Sequence, residues 1–268
     1  MVPTFFKATK KGPTMYQLFD SHAHYDDEAF DKDREALIAS LPEHGVTRVI
    51  NASADIPSSF ASVALTEAYD FFYCAIGVHP EAADTYDAQA EQTLRELSAH
   101  PKVLAIGEIG LDYHYDTTTK EVQQAAFEKQ LILAEELNLP VVIHTREAPA
   151  DSMALLTKYR PRGVVHCFSG SAETAKEVLK LGMYVGFTGV VTFKNARKVV
   201  DAMKAVPLDR LLIETDCPYL SPEPMRGKRC DSTYLHFTAE KIAAYRGIAP
   251  EEVMEASFEN TCRLYGIE

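Results

Sequence analysis

Several residues of types that bind divalent cations stand directly after short apolar runs of this chain: His22 and His24, Glu108, His144, His166 and Asp216. The first pair closes the stretch Leu18-Phe19-Asp20-Ser21-His22-Ala23-His24. In an extended strand, side chains two apart point the same way, so both imidazoles can aim at one point, which is half of a transition-metal site. On a helix they would diverge. Each position alone has an ordinary explanation, such as a hydrogen-bonded core histidine for His144 or His166. Their recurrence at the ends of several apolar runs points instead to a metal centre.

Other polar residues stand close to these. Arg146 comes two positions after His144 and would present a planar, bidentate donor suited to a phosphate. His79 and Ser169 stand after other apolar runs and could contact the same group, although one also reads as a turn-start histidine and the other as a turn hydroxyl. Glu214, two residues before Asp216, could orient a histidine or be a plain rim carboxylate. Arg226, Lys228 and Arg229 gather positive charge in a chain of net charge -12, and they suit backbone contacts to a nucleic acid.

Something must bring these residues to one place. Apolar or β-branched runs at Tyr16–Asp20, Arg48–Asn51, Phe72–Val78, Val103–Gly107, Pro140–His144, Gly163–His166, Met183–Gly186 and Leu211–Glu214 read as strands. Amphipathic segments separate them, at Asp31–His44, Pro57–Tyr69, Ala88–His100, Lys120–Asn138, Ala150–Tyr159, Ala172–Leu181 and Asn195–Ala205, and two more, Ser232–Tyr245 and Pro250–Tyr265, end the chain. Strands apolar on both faces, such as Val141-Val142-Ile143, are those of a parallel sheet covered by helices. The alternation predicts an α/β fold, a single-domain (β/α)8 TIM barrel from Met15 to Glu268, with a doubly wound open sheet as the alternative. In a barrel every one of these candidate residues falls on the C-terminal rim, where catalytic groups collect. Residues 1–14 show no periodicity and read as a flexible leader or an upstream start before Met15.

Composition narrows the class. A hydrophobic fraction of 46% supplies a core, yet no apolar run reaches the ~18 residues of a membrane span and no signal segment opens the chain. The 5 widely spaced cysteines, with no Cys-x-x-Cys, predict neither a disulfide framework nor a zinc ribbon, and so a cytoplasmic protein. The acidic balance argues against a general nucleic-acid coat but not against an enzyme whose pocket holds multivalent cations.

Read in order, Phe19-Asp20-Ser21-His22-Ala23-His24, Ile76-Gly77-Val78-His79-Pro80, Ile106-Gly107-Glu108-Ile109-Gly110-Leu111-Asp112-Tyr113, Val142-Ile143-His144-Thr145-Arg146, His166-Cys167-Phe168-Ser169-Gly170 and Glu214-Thr215-Asp216-Cys217-Pro218-Tyr219-Leu220 resemble the successive signatures of the TatD family, metal-dependent hydrolases that include many deoxyribonucleases. The resemblance implies two divalent metal ions (Mg, Mn or Zn), one on His22, His24, Glu108 and Asp216 and the other on Glu108, His144 and His166, with Glu108 bridging. It departs after Arg226-Gly227-Lys228-Arg229, where Cys230-Asp231-Ser232 stand in place of the family's Asn and Pro; this bears on a loop and not on the ligands.

The chemistry suits phosphoester hydrolysis. Two cations about 3.5–4 Å apart can activate water and stabilise both oxygens of an in-line displacement, with Asp216 as a proton acceptor. The expected function is a two-metal deoxyribonuclease acting on DNA ends, single strands favoured, without a membrane or an obligate protein partner. A same-fold hydrolase of a small phosphoester, amide or lactone is the alternative, and a non-catalytic metal-binding interaction module is a third reading.

Overall fold

The β-branched runs form strands and the amphipathic runs form helices in the alternation that the pattern predicts. The structure, a computed structural model, describes residues 16–115 and 117–268; the leader expected at 1–14 lies outside the described residues. Eight parallel strands succeed one another around one sheet in chain order: β1 (Leu18–Ala23), β2 (Val46–Ala52), β3 (Phe72–Ile76), β4 (Val103–Asp112), β5 (Val141–Arg146), β6 (Gly163–Val165), β7 (Tyr184–Phe187) and β8 (Leu211–Ile213). Helices α1 (Arg34–Ser40), α2 (Ile56–Ala68), α3 (Ala88–Leu97), α4 (Lys120–Leu137), α5 (Pro149–Tyr159), α6 (Ala172–Lys180) and α7 (Arg197–Ala205) fill the crossovers, and α8 (Leu235–Arg246) and α9 (Pro250–Tyr265) close the chain. This is a nearly closed (β/α)8 barrel, as expected.

Phe19, Ile50, Ala75, Val142, Val164 and Leu212 fill the barrel interior, and Phe258, Leu264 and Tyr265 of α9 pack against them. A second, larger apolar layer lies between the strands and the helices. The last strand joins the first through the residues just beyond it. Asp216 N–H donates to the His22 carbonyl (2.9 Å) and His24 N–H donates to the Cys217 carbonyl (2.8 Å). Below them, the buried Asp20 carboxylate accepts from Thr215 N–H (2.9 Å), Thr215 Oγ1 (2.6 Å) and Ser232 Oγ (2.6 Å). From α9, Ser257 Oγ accepts Ile213 N–H (2.8 Å), and Asn260 Nδ2 donates to the Leu208 and Leu211 carbonyls (2.8 and 2.9 Å). The β8–β1 ladder is therefore replaced partly by these two backbone bonds just beyond the strand and partly by side chains, so that the buried polar groups keep partners.

Three elements depart from the sequence reading. The first strand runs through the histidine stretch to Ala23, and its residues from Asp20 to Ala23 span only Val49 to Asn51 of β2. The fourth strand does not stop at Gly107 but continues to Asp112, and Ile106 to Ile109 spans only Val141 to Ile143 of β5. Each is a bulge, one extra residue that bends the strand and re-aims the side chains beyond the bend. The helix expected over Asp31–His44 is short: Pro42 lacks the N–H that the last turn needs, so a 3-10 turn over Leu41–His44 ends at Gly45, whose φ is 81°. All cysteines are free thiols, and no described helix is long and apolar enough to cross a membrane.

Gly110 shows how closely β4 and β5 approach beyond the bulge. Its φ is 147°, and a Cβ there would collide with the His144 carbonyl oxygen. Gly110→Ala is expected to cost on the order of 2–3 kcal/mol and to lower the thermal midpoint by roughly 5–10 °C. A calorimetric midpoint within a degree of the parent would show that the two strands can separate there without loss.

Candidate metal centre

The two bulges fall at Ser21-His22 and Gly107-Glu108, so His22, His24 and Glu108 turn into the barrel mouth. Glu108 is 3% exposed and forms the centre of the group. Its Oε2 lies 3.2 Å from His22 Nε2 and 3.7 Å from His24 Nε2. Its Oε1 lies 2.7 Å from His144 Nδ1 and 2.6 Å from His166 Nε2. Asp216 completes the first side, with Oδ1 at 3.2 Å from His24 Nε2 and 3.7 Å from His22 Nε2. Every residue singled out as a donor is therefore in one cluster, divided about the two oxygens of one carboxylate.

The electrostatics of the cluster suit cations. Burial pushes the Glu108 carboxyl up, but the imidazoles of His166, His22 and His79 hold it well below the usual carboxylate range. Burial disfavours charge on His24, yet Asp216 and Glu108 carry it up to about 10; His144 rises to about 9 against burial through Asp112 and Glu108. His22 goes the other way, to about 4, because burial and the nearby His166 outweigh Glu108. Imidazole nitrogens that face one another at 3.1 Å, as His22 and His24 Nε2 do, with carboxylates around them, fit a shared cation better than a hydrogen bond between two like donors. Three overlapping sets of donor atoms, each within 4.8 Å of one another, could hold an ion: His22, His24 and Glu108; His22, His166 and Asp216; and His79, Glu108 and His144.

Second contacts fix the rings. His24 Nδ1 donates to the Ala52 carbonyl (2.8 Å), which leaves Nε2 for the cluster. His144 Nε2 meets Asp112 Oδ2 at 2.9 Å, so Nδ1 faces Glu108. Asp112, almost fully buried, was not anticipated from sequence. The signal was present, since Glu108, Gly110 and Asp112 share a face of an extended strand, but it required β4 to continue past Gly107. His79, expected to contact substrate, lies 3.5 Å from Glu108 Oε1 and edge-on to His144, within the donor cluster. Glu214 does not hydrogen-bond a cluster histidine: His166 Nδ1 is 3.8 Å away, and the carboxylate instead accepts Cys167 N–H (2.5 Å) and Ser21 Oγ (3.1 Å). Burial pushes its carboxyl up to about 7. Gly186 leaves the room it occupies, because a Cβ there would sit 2.5 Å from Glu214 Oε2.

The basic residues divide. Arg146 and Ser169 line a cavity of about 470 Å³ beside the cluster, and the Arg146 guanidinium lies 4.8 Å over the Tyr115 ring. Lys228 is exposed, and Arg226 stacks 3.9 Å over Phe193. Arg229 is corrected: it forms a two-pronged pair with Asp33 (2.6 and 2.7 Å), donates to the Ala29 carbonyl (2.8 Å) and covers Phe30, so it clamps the loop after β8 to the segment before α1 instead of facing a substrate. Tyr219, also not anticipated, is 54% exposed beside His24, with its hydroxyl donating to Asp27 Oδ2 (2.8 Å).

Residues 19–266 match the family model for TatD related DNase. A Bacillus subtilis protein, the uncharacterized metal-dependent hydrolase YabD, is 44% identical over 253 residues, covering 93% of this chain and 99% of its own. The 3'-5' ssDNA/RNA exonuclease TatD of Cronobacter sakazakii is 33% identical over 256 residues, covering 92% and 97%. Among solved structures, the TatD homolog YJJV of Escherichia coli K12 superposes with a TM-score of 0.89 at 29% identity, covering 95% of this chain and 100% of that one.

Two substitutions separate the parts of the cluster. Glu108→Gln keeps the volume and removes the charge that faces both sets of imidazoles, so metal content after dialysis should fall below that of the parent and activity should drop to background. Undiminished metal content and turnover would show that the carboxylate is not shared. Asp112→Ala leaves every donor in place but frees the His144 ring; metal affinity by titration calorimetry should weaken about 10–100-fold. An unchanged affinity would make Asp112 a fold residue only.

Proposed function

The chain belongs to the TatD family of metal-dependent hydrolases, and from that premise we propose that it is a two-metal deoxyribonuclease that hydrolyses phosphodiester bonds at DNA ends, single strands before duplex. The observation that carries the reading is the division of donors about Glu108, with Oε2 toward His22 and His24 and Oε1 toward His144 and His166. His22, His24, Glu108 and Asp216 would hold one divalent ion, and Glu108, His144 and His166 would hold the other. Mixed imidazole and carboxylate donors suit zinc, manganese or magnesium. When bound, such a pair activates water near neutral pH and stabilises the attacking and leaving oxygens of an in-line displacement.

The chain's own residues do the rest. Asp216, whose side chain is 14% exposed, accepts the proton of the attacking water as the new P–O bond forms and the bond to the leaving nucleotide breaks. Arg146 stands two residues past His144, where a guanidinium can stabilise the charge that builds on the phosphoryl oxygens. Ser169 offers a hydroxyl on the same rim, and Lys228 reaches backbone phosphates farther out. The exonuclease name of the Cronobacter relative supports a single-stranded nucleic-acid substrate.

The test is release of nucleotides from an end-labelled single-stranded oligonucleotide, with and without chelator and with each metal restored. Metal-dependent release is expected. Hydrolysis of a small phosphodiester with no release from oligonucleotides would replace this reading with that of a small-substrate hydrolase. In single-turnover cleavage at saturating enzyme, Arg146→Ala should slow the chemical step on the order of a hundredfold. Cleavage at the parent rate would reduce Arg146 to a positioning group.

A further inference from the structure

The cavity beside the metal centre does not belong to the barrel mouth itself. It lies between β5 and β6 on one side and α5 and α6 on the other, as the lining by Val165, Leu156 and Val178 shows. Val165 and the cluster residue His166 are consecutive, so the cavity and the cluster are separated only by the strand wall at its C-terminal edge. Leu156, Val165 and Val178 line it with apolar surface, while Arg146 and Lys198 of α7 bring positive charge and Glu147 a carboxylate. Arg146 lies over the Tyr115 ring, while Lys198 has no carboxylate partner among the described residues. Among the described residues, the neighbouring carboxylates are engaged elsewhere, Glu147 with His114 at 2.8 Å and Asp201 with Arg197 at 4.0 Å. A lysine without a carboxylate partner among the described residues, beside an apolar pocket, offers an anion contact in a chain of net charge -12.

The chemistry of that lining selects a ligand. An apolar floor with a few polar groups at the mouth is the composition of a small-molecule site, and about 470 Å³ lies within the size range of such sites, roughly 300–1,000 Å³. A flat aromatic base suits the floor, and the anion attached to it suits Lys198. We propose that this cavity is a nucleotide subsite: it takes the base of the nucleotide next to the scissile bond and holds that nucleotide's outer phosphate on Lys198, while Arg146 stays with the scissile phosphate. The inference rests on the nuclease reading and adds a requirement to it, because a substrate must carry a second phosphate, beyond the nucleotide next to the cleaved bond, to gain the Lys198 contact. Lys198 is a positioning residue in this account. It touches the strand and not the reacting atoms.

The experiment compares parent, Lys198→Glu, Lys198→Arg and Met153→Trp holoenzyme on a series of single-stranded oligonucleotides from two to six residues, with KM and kcat measured separately. Lys198 is exposed and Met153 lines the floor, so the first substitution tests the charge without touching the core and the last fills the pocket. For the parent, KM should fall from the dinucleotide to the trinucleotide and then level off. Lys198→Glu should raise KM for the trinucleotide and longer chains roughly tenfold or more, with less effect on kcat, and lower the salt slope of binding by about 0.7. Lys198→Arg should restore both. Met153→Trp, if its melting midpoint shows it folded, should raise KM at every length, since even a dinucleotide places a base next to the cleaved bond. A Lys198→Glu enzyme whose KM and salt slope match the parent at every length overturns the subsite even if Met153→Trp fails to fold. Failure of the parent to cleave any oligonucleotide is a different result, since it removes the nuclease reading itself.

Discussion

A carboxylate buried at 3% exposure is the constraint around which this protein is arranged. An isolated charge taken that far from water costs several kcal/mol, so Glu108 is stable there only with partners on both oxygens. The partners are imidazoles from β1, β5 and the exits of β3 and β6, and no continuous stretch of chain could supply them together. Only a closed ring of parallel strands brings those ends within 3.7 Å of one atom pair. The same closure leaves little room: β4 and β5 approach so closely past the bulge that Gly110 can carry no side chain, and Gly186 must be bare for Glu214 to fit.

The barrel was legible because its physical causes act locally. Apolar runs of strand length, helical periodicity and parallel-sheet hydrophobicity on both faces are all written in adjacent residues, and the strand and helix positions agreed within a few residues. The donors were legible for the same reason, since a polar residue that ends an apolar strand has one place to be in a barrel. The features that were not legible depend on pairs distant in the chain. The β4 strand continues to Asp112 because β5 pairs with it through Arg146, and the bulges at His22 and Glu108 exist only as mismatches against β2 and β5. Arg229 read as one of three rim cations because nothing near it in sequence shows that Asp33, on a segment reached only through the fold, lies 2.6 Å away.

The seam of the barrel and the candidate metal centre are the same place. The ladder between β8 and β1 is replaced by backbone bonds at His22, His24, Asp216 and Cys217 and by the Asp20 carboxylate, whose burial pushes it up to about 6 despite the bonds from Ser232 and Thr215. Donor geometry is thereby tied to barrel closure: His24 and Asp216 cannot drift apart without opening hydrogen bonds that hold the first and last strands together. That arrangement gives a short, stiff lever, suited to fixing ion ligands within tenths of an ångström, the tolerance that catalysis by positioned groups demands.

The surface charge then decides which substrates come near. A chain of net charge -12 repels a polyanion over most of its face, and one of the three cations of the loop after β8 is neutralised by Asp33 while another lies on Phe193. Positive potential is left at the mouth, where the two proposed dications would carry more charge than the Glu108 and Asp216 carboxylates, and at the neighbouring cavity with Lys198. A rigid duplex approaching that mouth brings many phosphates against acidic surface and only a few against cations, while a flexible end brings just the phosphates that reach the ions. With backbone electrostatics as the main source of nucleic-acid affinity, the proposed nuclease would by this distribution favour short, single-stranded termini without any contact that reads sequence.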